Sequence, residues 1–183
     1  LSDGVGRNHL RAVVRERALF EREGRLWIAG PDAAPLPISP AGIEARYLGS
    51  FGDGSRALLQ LGAWSSDDER LATVATDGSD AEQPILLSPS FKELDVLLSA
   101  DGEHAWSAAQ GADGLWAVFD IHTDPTRAGP RQLCAWSSER MLVGAIGFDG
   151  TWASGCAGDA MVRFDRDGLP SEPPAVLVAA EPL

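Results

Sequence analysis

Residues 95–121, which read DVLLSADGEHAWSAAQGADGLWAVFDI, contain the pattern on which the fold prediction rests. Three short runs rich in apolar and β-branched residues are separated by two turn sequences, Asp101-Gly102 and residues 111–114. Runs of this length bounded by Gly and Asp are typical of β-strands joined by tight turns. We therefore predict strands over 95–100, 104–109 and 115–121, then a loop over 123–129 and a fourth strand over 131–136.

The same pattern recurs along the chain. Asp-Gly pairs at Asp53-Gly54, Asp101-Gly102 and Asp149-Gly150 are spaced by 48 residues each, and Asp3-Gly4 lies 50 residues before the first of them. A Leu-Trp-like pair follows each turn at 26–27, 71–72, 115–116 and 161–162, and a Pro precedes a later run at positions 37, 84, 130 and 174. Three markers in a constant order indicate an internal repeat of about 46 residues.

The repeat divides the chain into units 1–44, 45–94, 95–140 and 141–183. The second unit predicts strands over 45–51, 56–62, 70–76 and 84–88, and the fourth over 141–147, 151–157, 160–165 and 175–179. Unit one begins at Asp3-Gly4, so we expect its innermost strand to be missing and the unit to be a partial blade. Residues 8–21 are open to a helix, but runs at 18–20 and 26–28 around Glu23-Gly24 favour a hairpin.

A four-stranded unit of this length is the sequence signature of a β-propeller blade. Ser99-Ala100-Asp101-Gly102, followed by Gly114-Leu115-Trp116-Ala117-Val118-Phe119-Asp120, resembles WD-repeat and TolB-type blades, which carry Ser-Pro-Asp-Gly and then Leu/Ile-Trp-x-x-Asp. The resemblance covers nearly the whole chain, although Ala100 replaces the usual Pro. It implies an all-β propeller of about four blades. The propeller lobes of prolyl-oligopeptidase-like enzymes also resemble these blades.

A propeller normally closes into a ring, because an open sheet edge favours aggregation. With one strand of unit one absent, we expect the chain to be part of a larger or split propeller. Its partner would be another protein chain or segment that carries the remaining blades. The alternative is a four-bladed ring with an imperfect first blade.

Charge and hydropathy exclude two classes of partner. The 183 residues include 15 basic and 27 acidic side chains, for a net charge of −12. Nonspecific nucleic-acid binding needs a basic face, so none is expected. No apolar run approaches the roughly 20 residues of a membrane-spanning helix, so no membrane insertion is expected either.

Motifs that would identify a reaction are absent from the sequence. There is no Gly-x-Ser-x-Gly nucleophile elbow. His9, His104 and His122 are far apart in sequence and lack metal-ligand spacing, so surface or structural roles are expected. The repeated Asp53, Asp101 and Asp149 are expected to hold turns with Gly54, Gly102 and Gly150, with positive φ at both residues of each pair. We predict no catalytic, cofactor or metal site.

Two cysteines and two tryptophans remain as candidates. Cys134 and Cys156 fall near strand ends of neighbouring units, and a disulfide between them and a pair of free thiols are both open. Trp64 and Trp136 lie in identical Ala-Trp-Ser-Ser segments at turns and are candidate protein contacts. We therefore predict a noncatalytic protein-interaction module. The alternatives are the propeller portion of a hydrolase or glycosidase whose active site lies elsewhere, and an exported sensor or lipoprotein propeller.

Overall fold

The computed structural model describes residues 9–51, 53–62, 67–127, 129–147, 150–169 and 172–178. These residues form sixteen strands in four separate antiparallel sheets, and they contain no helix. It follows that nothing in these ranges could cross a membrane as a helix. The prediction of an all-β chain with about four blades is confirmed.

Within every sheet the strands lie in chain order. The first sheet contains β1 (His9–Val14), β2 (Arg17–Arg22), β3 (Arg25–Ala29) and β4 (Leu36–Pro37). The second contains β5 (Ala45–Phe51), β6 (Arg56–Leu61), β7 (Arg70–Ala75) and β8 (Ile85–Leu86). The third contains β9 (Glu93–Leu98), β10 (His104–Gln110), β11 (Trp116–His122) and β12 (Arg131–Gln132). The fourth contains β13 (Met141–Ile146), β14 (Trp152–Ala157), β15 (Ala160–Asp165) and β16 (Ala175–Val178).

The fourth strands of the second and third sheets are shorter than predicted. In the second sheet, the amides of Leu87 and Ser88 both donate to the Leu71 carbonyl, at 2.8 and 3.3 Å. Two donors on one acceptor interrupt the alternating ladder of an antiparallel pair. The strand therefore ends at Leu86, although Leu87 remains buried beneath it.

The Asp-Gly turns differ from the predicted two-residue form. Gly102 has a φ of 72°, and its N–H bonds to the Ser99 carbonyl at 2.9 Å. Asp101 does not share the positive φ; its Oδ1 accepts the Glu103 N–H at 2.9 Å. The chain thus makes a type I turn that ends in one left-handed glycine. The expectation of positive φ at both residues was wrong. Asp101 does not need a positive φ, because its side chain stabilises the turn by accepting the Glu103 N–H.

The other Asp-Gly pairs follow this geometry as far as they are described. Gly54 and Gly150 have φ values of 79° and 66°. Asp53 accepts the Ser55 N–H at 2.9 Å. Asp149 lies outside the described residues, as does Asp3-Gly4.

Unit one has a complete sheet, so the expected partial blade is wrong. Its first strand is β1, and the turn equivalent to Asp-Gly is Arg15-Glu16, with φ values of 49° and 62°. Neither residue type favours this left-handed conformation, which is why the turn escapes a search for turn residues. Arg15 forms an ion pair with Asp53 in the first turn of the second sheet. That contact ties the two turns together.

The hairpin favoured over a helix in unit one is confirmed. Strands β2 and β3 pair through Ala18–Ala29 and Leu19–Ile28. Glu23 and Gly24, with φ values of 54° and 72°, form the two-residue turn. Leu19, Leu26 and Ile28 all face the second sheet and are buried.

The hydrophobic core consists of three layers, each between two consecutive sheets. The first layer joins the first and second sheets, the second joins the second and third, and the third joins the third and fourth. In the third layer Trp106 and Val118 pack against Met141, Val162 and Phe164. Within the described residues, no core cluster joins the fourth sheet to the first. The four sheets therefore form a consecutive stack with two outer faces.

Candidate functional site

Two grooves of the same kind lie beside the connections between sheets. Each is bounded by the connection that enters a sheet, by the middle strands of that sheet and by its outer strand. The larger groove adjoins the second sheet and encloses about 750 Å³. It is lined by Pro40, Gly42, Ile43, Glu44, Leu61, Gly62, Asp68, Arg70, Glu82, Pro84 and Leu86.

The larger groove combines apolar surface with carboxylates. Ile43 and Leu86 are exposed large hydrophobic side chains. Glu44 is also exposed, and no hydrogen bond or ion pair involves its side chain among the described residues. Isolated exposed hydrophobics are ordinary, but here two of them line the same groove.

The other two carboxylates of the groove are held in place. Asp68 accepts the Ser90 hydroxyl at 2.5 Å and pairs with Arg70 at 2.8 Å; the Ser90 bond and then Arg70 hold its pKa below the usual range. Glu82 accepts the Ala41 N–H at 3.2 Å and pairs with Arg25, and these contacts lower its pKa in that order. Both groups are therefore ionised at neutral pH.

The smaller groove adjoins the fourth sheet and contains one of the predicted contact residues. It encloses about 250 Å³, and Trp136, Pro173, Pro174 and Val176 line it. Trp136 is exposed, and its ring meets Phe119 edge-on at a centroid distance of 5.8 Å. The backbone bridge between Trp116 and Ser137 fixes the segment beside it. Trp64, the other predicted contact, lies outside the described residues.

Two histidines that are distant in sequence come together in the third sheet. His104 and His122 are directly opposite each other on β10 and β11, with ring centroids 4.9 Å apart. Glu103 lies beside them. One atom of each of the three residues that could ligate a metal ion lies within 4.8 Å of the other two. The cross-strand register produces this cluster, so the expectation that the histidines are far apart holds only for His9.

The hydrogen bonds of this cluster determine what it can do. His104 Nδ1 bonds to Asp120 Oδ1 at 2.8 Å, which places the proton on Nδ1 and leaves Nε2 as an acceptor. His122 Nδ1 accepts the Asp124 N–H at 3.0 Å, so the neutral ring carries its proton on Nε2. Burial and then the nearby His104 lower the pKa of His122. A metal needs an unprotonated ring nitrogen; Nε2 of His104 meets this condition, whereas Nδ1 of His122 is occupied by the Asp124 N–H.

Within the described residues, His104 and His122 are not paired with a nucleophile. Neither ring of the histidine pair hydrogen-bonds to a serine hydroxyl or a thiol within the described ranges. A serine or cysteine nucleophile needs such a base within about 3 Å.

The two cysteines are free thiols, so the disulfide considered from the sequence is not formed. Cys134 is buried in the core layer between the third and fourth sheets, with its Sγ 3.8 Å from the Met141 sulfur. Cys156 pairs with Leu142 on the opposite, exposed face of the fourth sheet. Successive residues of a strand point to opposite faces, so Ala157 faces Cys134 and Cys156 points away.

Known proteins resemble this chain in structure alone. No protein family model and no curated protein matches it significantly in sequence. A puromycin-hydrolyzing peptidase of Mycobacterium tuberculosis matches with a TM-score of 0.67 and 19% identity, over 96% of this chain and 30% of the peptidase. A putative TolB from Agrobacterium tumefaciens matches with a TM-score of 0.59 and 14% identity, over 96% of this chain and 63% of that protein. TolB from Acinetobacter baumannii matches with a TM-score of 0.53 and 10% identity, over 89% of this chain and 41% of that protein.

These likenesses establish the fold. Four consecutive four-stranded antiparallel sheets, together with structural matches to TolB and to a peptidase, show that the chain consists of β-propeller blades. The TolB part of the expected resemblance is confirmed as a likeness of fold, and the WD-repeat part stays a prediction. The chain spans less than two thirds of the length of each of these proteins. Fold does not determine function, which has to be argued from the site.

Proposed function

We propose that this chain is a noncatalytic β-propeller module whose larger groove binds an extended segment of another protein. The segment has an apolar side chain flanked by basic ones. The observation that carries the proposal is the convergence of exposed Ile43 and Leu86 with ionised carboxylates on one groove of about 750 Å³. A volume of this size falls within the range of about 300–1,000 Å³ that ligand-binding clefts have.

The negative charge of the groove determines which charge we expect on the partner segment. Arg70, which lines the groove, is already paired with Asp68, and the groove carboxylate Glu82 is paired with Arg25. Glu44 adds a further negative charge, and the whole chain carries −12. Complementary charge speeds encounter and fixes the register of a bound segment. Lys or Arg beside the apolar anchor therefore fits this groove best.

A peptide-binding experiment with a matched pair of variants tests the proposal. Fluorescence polarisation would measure binding of labelled peptides in which one Leu or Phe is flanked by Lys and Arg. Leu86 lines the groove, whereas Ile85, the preceding residue of β8, is equally exposed but points to the other side of the sheet. We expect Leu86→Lys to weaken binding by about tenfold or more, as loss of an anchor does, and Ile85→Lys to leave it unchanged.

Two results would contradict this function. One is that no peptide of the series binds better than its acidic counterpart with Glu in place of Lys and Arg. The other is that Leu86→Lys and Ile85→Lys affect binding equally.

A second candidate is the propeller portion of a hydrolase. It is favoured by the match of 96% of this chain to part of the puromycin-hydrolyzing peptidase, at a TM-score of 0.67. In that case the chemistry belongs to residues outside this chain. Assay of the complete gene product against chromogenic aminoacyl and peptidyl substrates would decide. Turnover by the complete product but not by residues 1–183 supports this candidate, and no turnover by either excludes it.

A further inference from the structure

We infer that the outer faces of the first and fourth sheets are the unfilled halves of two blade–blade interfaces. Their occupants are further four-stranded blades of the same repeat, carried by the same polypeptide outside residues 1–183. This inference concerns surfaces other than the grooves and is independent of the proposed peptide binding.

The register of the fourth sheet provides the first observation. In the first three sheets, the third-strand residue just before the pair that joins the outer strand is Leu26, Leu71 or Val118; each has 0% exposure because the next sheet covers it. In the fourth sheet Met161 directly precedes the Val162–Val176 pair and has 50% exposure. The fourth sheet thus has an apolar side chain at a position that is buried in the other sheets, but no sheet of the described residues covers it.

The outer strand repeats the observation. Ile38, Leu87 and Leu133 directly follow the last ladder pair of the first three sheets and are 0%, 7% and 3% exposed. Leu177 has the same place beside the Val162–Val176 pair and is 50% exposed. Two equivalent positions are therefore buried in the first three sheets and exposed in the fourth, which no other sheet of the described residues covers.

The outer face of the first sheet is the second unfilled half-interface. Leu10, Tyr47 and Val143 each directly precede the bulge in the first strand of their sheet. Tyr47 and Val143 pack against the preceding sheet, and Val143 is only 7% exposed. Leu10 is 66% exposed, and Val13 on the same face is 70% exposed. An exposed apolar face of this kind marks an interaction surface.

The internal interfaces define the chemistry of the occupant. Where the third sheet meets the fourth, bulky Trp106 and Trp116 pack onto a strand that presents Ala153, Gly155 and Ala157. A sheet with small residues on its second strand and aliphatic residues on its third is therefore what fits on Met161 and Leu177. The similar proteins have chain beyond the part that this chain matches. A second copy fits less well, because two chains of net charge −12 repel each other.

Cys156 is a reporter already present on the outer face of the fourth sheet, and buried Cys134 is its internal control. The rate of maleimide labelling at each cysteine would be measured by mass spectrometry in residues 1–183 and in the complete gene product. We expect Cys156 to react rapidly in residues 1–183 and at least about tenfold more slowly in the complete product, since a covered thiol reacts only on local opening. Cys134 should react slowly in both.

Equal rates at Cys156 in the two proteins would overturn the inference. So would protection of Cys156 in residues 1–183 together with a doubled mass by light scattering, which would identify a second copy as the occupant.

A pair of substitutions provides a test that does not depend on thiol chemistry. Met161 on the outer face and Leu169 in a loop are similarly exposed, at 50% and 52%. In the complete product, Met161→Glu should lower the melting temperature by several degrees more than Leu169→Glu, whereas the two variants of residues 1–183 should melt alike. Equal effects in the complete product would overturn the inference. Neither test involves the larger groove, so its outcome does not affect the proposal of peptide binding.

Discussion

Replacing Glu69 with alanine should lower the free energy of unfolding by about 3 kcal/mol. Glu69 is only 1% exposed and lies where the second sheet meets the third. Its Oε2 accepts the Leu94 N–H at 2.7 Å and the Gln60 Nε2 at 2.9 Å. One carboxylate oxygen therefore joins strands β6 and β9, while the backbone of Glu69 bridges to Phe91.

The magnitude follows from what alanine leaves behind. Gln60 keeps its bond to the Leu94 carbonyl at 3.0 Å, so its amide is still partly satisfied. The Leu94 N–H loses its carboxylate acceptor inside the protein, and an unsatisfied buried donor costs about 1–3 kcal/mol. Loss of the second charge-assisted bond adds about 1 kcal/mol. For a chain of this size the total corresponds to a decrease of roughly 6–12 °C in melting temperature.

Equilibrium urea unfolding, followed by tryptophan fluorescence, would measure the change. Glu44→Ala is the matched control, because that side chain is exposed and should contribute within about 0.5 kcal/mol. Glu69→Gln retains an oxygen that can replace Oε2 and should lose less than the alanine variant. If Glu69→Ala and Glu44→Ala unfold at the same urea concentration, the carboxylate does not hold the two sheets together and the reasoning is refuted.

Three further changes test other features of the fold. Glu16→Gly should raise the free energy of unfolding by about 1 kcal/mol, because Glu16 has a φ of 62°. Gly102→Ala should lower it by about 1–2 kcal/mol, since Gly102 has a φ of 72° and an added Cβ would lie 3.1 Å from Phe51, whereas Gly129→Ala meets nothing and is the control. Below about pH 6.5 the protein should become less stable as the pH falls, and His122→Asn should weaken this dependence.

The sign of the pH effect follows from the pKa of His122, which burial and then His104 lower in the folded chain. The unfolded chain binds a proton at His122 more readily, so the contribution to stability is complete above the unfolded pKa and is lost as the pH falls through the folded one. Urea midpoints at pH 7.5 and 5.5 would measure it. An identical change of the urea midpoint with pH in wild type and variant would exclude His122 as the source.

Circular dichroism melts suffice for the glycine changes. A Glu16→Gly variant that melts below wild type, or a Gly102→Ala variant that melts at the same temperature, would count against the backbone argument.

Much of the fold could be predicted because local signals coincide with strand boundaries. Runs such as residues 104–109 and 160–165 are bounded by Gly and Asp, and the structure has β10 and β15 within one residue of those limits. The first turn of unit one could not be found in this way. Arg15 and Glu16 have no turn signature, and the ion pair from Arg15 to the next sheet stabilises the turn from outside it.

The candidate site was less predictable than the fold. Trp136 was singled out from its turn sequence, and the structure places it in a groove. Ile43, Leu86 and Glu82 have no motif in common; the path of the chain from the first sheet to the second brings them together. A sequence shows which residues can contact a partner, but convergence of side chains from separate segments depends on how sheets pack.

The repeat, the all-β class and most strands can be predicted from the sequence, because turn propensity and period-two burial act over a few neighbouring residues. Three facts required the folded structure: unit one is a full sheet, His104 faces His122, and Cys156 points away from Cys134. These facts depend on register between strands, where a shift of one residue reverses the face of every side chain. The same register shows that Met161 and Leu177 occupy core positions on a face that no sheet of the described residues covers.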